Sequence, residues 1–299
     1  MESLRDRLLQ GRTVLSDGAS GTWLMARGLP LGQPPEWVNL NRPELLEEIA
    51  ALYMQSGAEL IQTNTFGASP LKLDHYGLAD QTETIIARAV QATRQAAGEK
   101  AWVNGSVGPT GKLLLPYGDT DPESIYQAFF RQIRSLLQNG VDALCIETMS
   151  DPQEAALAIR AARELSPEIP ILATMTFEKT TRGFFTIMGT TVAQAVQALT
   201  QAGADALGSN CGNGSAAMAL IAAEFHQHTD LPLVIQANAG LPQCRGAELI
   251  YPESPEFMAG FIPRLVEAGV RIIGGCCGTT PEHIRFFRHT LDQLPSAAS

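Results

Sequence analysis

The sequence predicts an α/β fold in which eight parallel strands close into a single (β/α)8 TIM barrel. Eight short apolar runs rich in Val, Ile, Leu and Ala recur along the chain, and longer stretches with helical spacing separate them. Continuous apolar runs joined by crossover helices are typical of a parallel sheet that is buried on both faces. Eight such units in about 250 residues agree with a barrel in number and in length. An open doubly wound sheet is the alternative, but such sheets usually have fewer strands.

The eight apolar runs are the candidate barrel strands. They cover residues 13–19, 58–66, 101–109, 142–151, 169–178, 204–212, 231–240 and 270–278. The two longest irregular stretches, 27–42 and 110–121, follow the first and third runs, so we expect them to be loops after those strands.

The segment from Glu123 to Gly140 has the clearest helical pattern of the intervening stretches. Its apolar residues recur every three or four positions and share one face: Ile125, Phe129, Ile133, Leu136 and Leu137. Asn139-Gly140 at its end is typical of a helix C-terminus. We therefore expect a crossover helix that ends just before the fourth strand.

The composition disfavours several classes of protein. With 299 residues, 45% hydrophobic and 17% charged, the chain can fill a sizeable core, and we expect one domain over residues 1–299. The formal net charge of −10 disfavours a nucleic-acid or anionic-membrane partner. No apolar run approaches the roughly 18–20 residues of a membrane span, and the N-terminal segment lacks the apolar region of a secretory signal. We expect a cytoplasmic protein whose thiols stay reduced.

Polar residues end each of the candidate strands. Because the C-terminal ends of barrel strands meet on one face, where barrel enzymes hold their active sites, we expect these residues to surround one mouth. Those that bear on chemistry are Asp17-Gly18 after the first strand, Glu147 after the fourth, Cys211 after the sixth, Asn238 after the seventh and Cys276-Cys277 after the eighth.

The three cysteines at the mouth indicate a metal site. A disulfide between neighbours such as Cys276 and Cys277 is strained, and clustered thiols in a reducing compartment are more often metal-binding or catalytic. With Cys211, they supply three thiolates, for which Zn²⁺ is the natural partner, and a fourth position stays open as in catalytic zinc sites. Packing is the alternative, because free cysteine is often a small buried hydrophobe. We assign Cys145 to the core and no role to Cys244.

An open position on a zinc with three thiolate ligands suits a substrate thiol. Coordination lowers the pKa of the thiol and yields a thiolate at neutral pH, so the expected chemistry is alkyl transfer to sulfur. Asp17 and Glu147 lie at the same mouth. Acid–base catalysis and binding of a substrate ammonium group are the two candidate roles for these carboxylates. The five histidines fall in predicted helices or loops, so none receives a catalytic role.

Eight motifs at the strand ends resemble the homocysteine S-methyltransferase family. They are "LSDGASGTWL", "QTNTFGAS", "SVGPTGKLLLPYGD", "ETMSD", "ATMTFE", "GSNCGNG", "QANAGLP" and "GGCCGTTPEHI". Within the family, the most similar part is the N-terminal homocysteine-binding barrel of cobalamin-dependent methionine synthase. The resemblance covers residues from about 10 to 290, and all eight strand ends match in order.

The resemblance implies an enzyme in which a zinc-bound homocysteine thiolate attacks a methyl group and becomes methionine. Cys211, Cys276 and Cys277 match the three zinc thiolates of the family and are therefore the implied metal ligands and catalytic residues. Asn238 matches the residue that fills the fourth zinc position when homocysteine is absent.

The resemblance also implies how the amino-acid part of the substrate binds. Asp17 and Glu147 match the carboxylates that receive the amino group of homocysteine. The backbone amides around Gly18, Ala19 and Ser20 are candidate contacts for its carboxylate.

The methyl donor is less determined than the acceptor. The motifs "NTFGAS" and "GPTGKLLLPYGD" favour a methyl-corrinoid donor, which we expect a separate corrinoid protein to carry. One alternative is a self-sufficient enzyme that uses S-methylmethionine, S-adenosylmethionine or betaine. Another is a methyltransferase for a different thiol. A thiol-based redox or zinc-storage module is a further alternative, but it leaves the carboxylates at the mouth unexplained.

Overall fold

The computed structural model describes residues 1–245 and 248–294 and has the predicted (β/α)8 barrel. Its strands, in chain order, are β1 (Val14–Leu15), β2 (Leu60–Gln62), β3 (Trp102–Val107), β4 (Ala143–Met149), β5 (Ile171–Met175), β6 (Glu178–Thr180), β7 (Gly183–Phe185), β8 (Ala206–Asn210), β9 (Leu233–Ala237), β10 (Gln243–Arg245), β11 (Glu248–Ile250) and β12 (Val270–Gly275).

Eight of these strands form one parallel sheet in the order β1-β12-β9-β8-β5-β4-β3-β2. A bridge between Ser16 and Leu60 joins β1 to β2, so the sheet curves round until its two edges meet. Each of the eight strands lies within one of the eight predicted runs. The prediction of the fold class is therefore confirmed, strand by strand.

The helices are α1 (Leu4–Leu9), α2 (Gly21–Ala26), α3 (Trp37–Asn41), α4 (Glu44–Gln55), α5 (Pro70–Asp74), α6 (Thr82–Ala97), α7 (Pro122–Gln138), α8 (Pro152–Leu165), α9 (Val192–Ala202), α10 (Ser215–His226), α11 (Pro255–Ala259), α12 (Ile262–Glu267) and α13 (Pro281–Gln293), with a 3-10 turn at Ala79–Gln81. Five of them begin with Ser, Thr or Asp followed by proline, a strong helix-start signal, at Ser69, Asp121, Asp151, Ser254 and Thr280.

Helix α7 forms as its apolar pattern predicts. The Asp121 side chain accepts from the amide of Ser124 at its start, and Gly140 adopts a positive φ of 84° just beyond its end. Positive φ is easy only for glycine. The chain can therefore reverse there and enter β4.

The inside of the barrel is filled from its N-terminal end. Leu4 and Leu8 of α1 pack against inward-facing strand residues that include Leu60, Trp102 and Cys145. The assignment of Cys145 to the core is confirmed, since it is 1% exposed. With this end plugged, the open end of the barrel is the C-terminal one. None of the helices in the described ranges is long and apolar enough to cross a membrane.

Three features of the loops differ from the prediction. The stretch 27–42 was expected to be irregular but contains α3. Two antiparallel hairpins, β6–β7 after β5 and β10–β11 after β9, were not expected. Their strands have three residues each, and β6 is exposed throughout, so they have no apolar run to reveal them. Residues 246–247 and 295–299 of the predicted 1–299 domain lie outside the described residues.

Candidate metal and substrate site

The three cysteines expected at the mouth lie together. Cys211 follows β8, Cys276 and Cys277 follow β12, and their Sγ atoms all lie within 4.8 Å of one another. The Sγ atoms of Cys211 and Cys277 are 3.9 Å apart. Tetrahedral zinc with Zn–S bonds of about 2.3 Å places its sulfur ligands about 3.8 Å apart. The donor type and the spacing therefore both fit a tetrahedral zinc.

Strand β9 lies between β8 and β12 and holds the cysteines on both sides of it. The amide of Cys211 donates to the carbonyl of Gln236 at 3.1 Å, and the amide of Cys276 donates to the carbonyl of Ala237 at 2.7 Å. The amide of Ala239 donates to the carbonyl of Cys277 at 2.9 Å. The thiol cluster is thus built on the backbone of the sheet.

The thiols interact strongly with one another. Hydrogen bonds from Cys276 and Cys277 hold the pKa of Cys211 well below its ordinary value. The hydrogen bond to Cys211 raises the pKa of Cys276 well above its usual range, and it also raises that of Cys277. Without a cation, the cluster therefore disfavours ionisation of a second and a third thiol. Three thiolates require a positive charge at their centre.

Two polar side chains lie beside the cysteines. Asn238 is 4% exposed, helps to lower the pKa of Cys211, and has a buried Oδ1 with no hydrogen-bond partner. Tyr251 lies beside Cys277, and burial together with the charge of Cys277 raises the pKa of Tyr251 to about 12. Sequence reasoning missed Tyr251, because it follows the unexpected hairpin β10–β11 and no motif marks it.

Glu147 lies buried in β4, near the cysteines. Its Oε1 accepts a hydrogen bond from the Ser106 hydroxyl, and its Oε2 accepts one from Asn210 Nδ2 at 3.1 Å. Burial, with a smaller contribution from the nearby charge of Asp17, raises the pKa of Glu147 to about 7. A cation beside Glu147 would favour its ionised form.

Asp17 closes the seam of the barrel. Its Oδ2 accepts from the amide of Gln62 at 2.9 Å, at the point where the ladder between β1 and β2 ends, and its Oδ1 accepts from Ser16. Burial raises the pKa of Asp17 to about 7. The carboxylate thus has a structural contact in addition to any contact with a substrate.

A cavity of about 330 Å³ opens at this mouth. Its lining includes Gly18, Glu147, Cys211, Cys276 and Cys277, all predicted site residues, together with Phe66 and Gln236. Asp17 instead lines an adjacent cavity of about 10 Å³, which shares Ser20, Gln62 and Asn64 with the larger one. That space holds at most about one water.

The loop after β1 is tightly packed. A Cβ at Gly18 would lie 2.7 Å from Thr279 Oγ1 and 2.8 Å from the Tyr53 hydroxyl, so only glycine fits. The amide of Ala19 donates to Thr279 Oγ1 at 3.1 Å. Of the three candidate amides for a substrate carboxylate, that of Ala19 is therefore already engaged.

A barrel whose mouth combines three thiols with two buried carboxyl groups is a (β/α)8 protein with a candidate metal site. The chain belongs to the homocysteine S-methyltransferase family, whose model matches residues 14–291. It is 35% identical over 299 residues to methionine synthase of Mycobacterium leprae, and 35% identical over 298 residues to that of Mycobacterium tuberculosis. Both matches cover 93% of this chain but 24% of the relative, so the chain spans about a quarter of their length.

A solved structure gives a match over the full length of the barrel. The metallated form of the homocysteine methyltransferase MmuM from Escherichia coli is 26% identical, with a TM-score of 0.78, and the match covers 96% of this chain and 99% of that one. The oxidized form of the same enzyme has a TM-score of 0.79. The predicted family and enzyme class are confirmed.

Proposed function

We propose that this chain is a zinc-dependent S-methyltransferase that converts homocysteine to methionine, with a methyl-corrinoid as the donor. The observation that carries the proposal is that three Sγ atoms within 4.8 Å of one another share one cavity with Glu147. Cys211, Cys276 and Cys277 would hold the zinc. Zinc at this site would supply a lowered pKa for the substrate thiol.

The carboxyl groups are proposed to bind the amino group of homocysteine. Glu147 and Asp17 are both buried with a pKa of about 7. A bound ammonium group lowers the pKa of a nearby carboxyl group, so both would be ionised at neutral pH when the substrate is bound. Ser106 holds one oxygen of Glu147 in place. The backbone around Gly18 would contact the substrate carboxylate.

Asn238 is proposed as a further ligand to the zinc when homocysteine is absent. Its Oδ1 is buried without a hydrogen-bond partner, which would leave it available to a cation held by the three cysteines. In the reaction, the sulfur of deprotonated homocysteine forms a bond to the methyl carbon. The bond from that carbon to the donor breaks, and its electron pair leaves with the donor.

The choice of donor rests on the comparisons. Identity is higher to the methionine synthases, at 35%, than to MmuM, at 26%, which supports a corrinoid donor. The second candidate is a self-sufficient enzyme that takes methyl from S-methylmethionine, S-adenosylmethionine or betaine. It is favoured by the match to 99% of MmuM, a homocysteine methyltransferase of this span.

We also propose that residues 1–299 form one homocysteine-binding domain and that the protein lies in the cytoplasm. All five cysteines are free, as in a reducing compartment.

A donor panel tests the proposal. The zinc-loaded chain, kept reduced, is given homocysteine with methylcobalamin, S-methylmethionine, S-adenosylmethionine or betaine, and methionine is measured. We expect turnover with methylcobalamin. Turnover with a sulfonium donor or betaine alone would establish the second candidate, and methylation of simple alkyl thiols in preference to homocysteine would refute the acceptor.

A further inference from the structure

The side chain of Asn210 links the two halves of the candidate site. Asn210 ends β8 immediately before Cys211 and is fully buried. Its Oδ1 accepts from the amide of Thr148 and from the hydroxyl of Thr174, both at 2.8 Å. Its Nδ2 donates to Thr148 Oγ1 at 2.8 Å and to Glu147 Oε2 at 3.1 Å.

These contacts fix the orientation of the amide. A backbone N–H can only donate, so the Asn210 oxygen must face Thr148 and the Asn210 nitrogen must face Glu147. Both protons and both lone pairs of the amide then have partners. The side chain therefore cannot turn over without leaving buried groups unpaired, which is costly.

Two strained residues adjoin Asn210. Among residues 1–245 and 248–294, Thr148 with φ 60° and Cys211 with φ 59° are the only non-glycine residues with positive φ. Such backbone persists only where its surroundings hold it, and it concentrates at functional sites. The Asn210 side chain bonds both the amide and the hydroxyl of Thr148, and Cys211 is the next residue in the chain. The Asn210 side chain therefore stabilises the turn at Thr148, and its backbone leads directly into the turn at Cys211.

We propose that Asn210 is a positioning residue that couples binding of the substrate amino group at Glu147 to placement of the Cys211 sulfur. The inference rests on the proposed function for the identity of the two ligands. It deepens that function, since recognition of the amino acid and ligation of the metal then share one buried amide.

Two variants separate the two parts of this role. Asn210→Asp keeps the oxygen that accepts from Thr148 and Thr174 but removes the amide donor to Glu147 Oε2 and Thr148 Oγ1. Asn210→Ala removes all four hydrogen bonds. Leu199→Ala is the control, because it removes buried apolar volume from α9 and leaves the hydrogen-bond partners of Asn210 in place.

Cobalt(II) replaces zinc in these experiments, and its binding is measured by the cobalt–thiolate charge-transfer absorption. Two thiols are then used as substrate probes. Homocysteine is compared with 4-mercaptobutanoate, which has the same thiol and carboxylate but no amino group. The Kd of each thiol for the cobalt-loaded protein gives a preference ratio. This ratio isolates recognition of the ammonium group from folding and from metal content.

We expect Asn210→Asp to bind cobalt as the unaltered chain does, but to lose about tenfold or more of its preference for homocysteine, the effect of one hydrogen bond to a charged group. We expect Asn210→Ala to lose the same preference and also to bind cobalt more weakly. Leu199→Ala should lower the melting temperature and leave the preference and the cobalt affinity unchanged.

The inference is overturned if Asn210→Asp keeps the full preference, or if it weakens both thiols equally, as a purely structural role would. If the unaltered chain binds cobalt but shows no preference for homocysteine, the proposed substrate is wrong and the inference fails with it. That outcome is visible in the unaltered chain alone, before any variant is made.

Discussion

Replacing Glu147 by glutamine should weaken substrate binding while making the substrate-free protein more stable. The Gln amide can accept from Asn210 through its oxygen and donate to the Ser106 hydroxyl, which can also accept, so both hydrogen bonds of Glu147 survive. What is lost is the negative charge opposite the ammonium group. A hydrogen bond to a charged group is worth about 1.5–3 kcal/mol, so the Kd for homocysteine should rise about 10- to 150-fold.

The effect on stability has the opposite sign. The pKa of Glu147 is about 7 in the folded chain against 4.5 ordinarily. The folded state therefore binds more protons than the unfolded state between these values, and stability falls as the pH rises through this window. At about 1.4 kcal/mol per pKa unit, the cost above pH 7 is about 3 kcal/mol. The Gln variant avoids this cost, so it should be more stable at pH 8, with the difference fading towards pH 4.5.

Urea unfolding of the metal-free, reduced protein between pH 4.5 and 8 measures the stability difference, and calorimetric titration with homocysteine measures the binding. The Kd for 4-mercaptobutanoate is the control and should not change. A Glu147→Gln protein that is less stable than the unaltered chain at pH 8, or that binds homocysteine equally well, would refute the reasoning.

Three further changes have expected outcomes. Asp17→Asn should raise the Kd for homocysteine about tenfold and leave the Kd for 4-mercaptobutanoate unchanged, both measured by calorimetric titration. Tyr53→Phe removes the buried hydrogen bond to the carbonyl of Ala19 and should lower the unfolding free energy by about 0.5–1.5 kcal/mol, measured with urea. Peroxide should oxidise the metal-free chain to a disulfide between Cys211 and Cys277, the thiol pair 3.9 Å apart, detected by peptide mass spectrometry and reversed by dithiothreitol.

For each of these predictions, one result would contradict the reasoning. An unchanged homocysteine Kd in Asp17→Asn would mean that this carboxylate does not bind the substrate and serves only its contact with Gln62 at the barrel seam. Unaltered stability in Tyr53→Phe would mean that the loop after β1 is held by other contacts. Zinc loading before peroxide is the control for the third experiment, and equal oxidation with and without zinc would contradict ligation by these thiols.

The barrel could be predicted because its strands are buried on both faces, and such strands leave continuous apolar runs in the sequence. The convergence of Cys211 with Cys276 and Cys277 could be predicted for the same reason, since the order of the strands determines which strand ends are near one another. Burial of Cys145 followed from its place inside an apolar run.

The remaining features of the site depend on contacts that no short-range pattern records. The bonds from Asn210 to Glu147 and Thr148 span more than 60 positions along the chain. Tyr251 reaches Cys277 only because an unexpected hairpin places it there. The amide of Ala19 is engaged by Thr279, some 260 positions away.

The central claim is that three cysteines hold a zinc whose open position takes the sulfur of homocysteine. X-ray absorption at the zinc edge, with metal content measured on the same sample, tests it most directly. We expect one zinc per chain with three sulfur ligands, a fourth sulfur when homocysteine is added, and loss of the metal in Cys276→Ser. A chain that binds no zinc, or a sulfur count that homocysteine leaves unchanged, would contradict the claim.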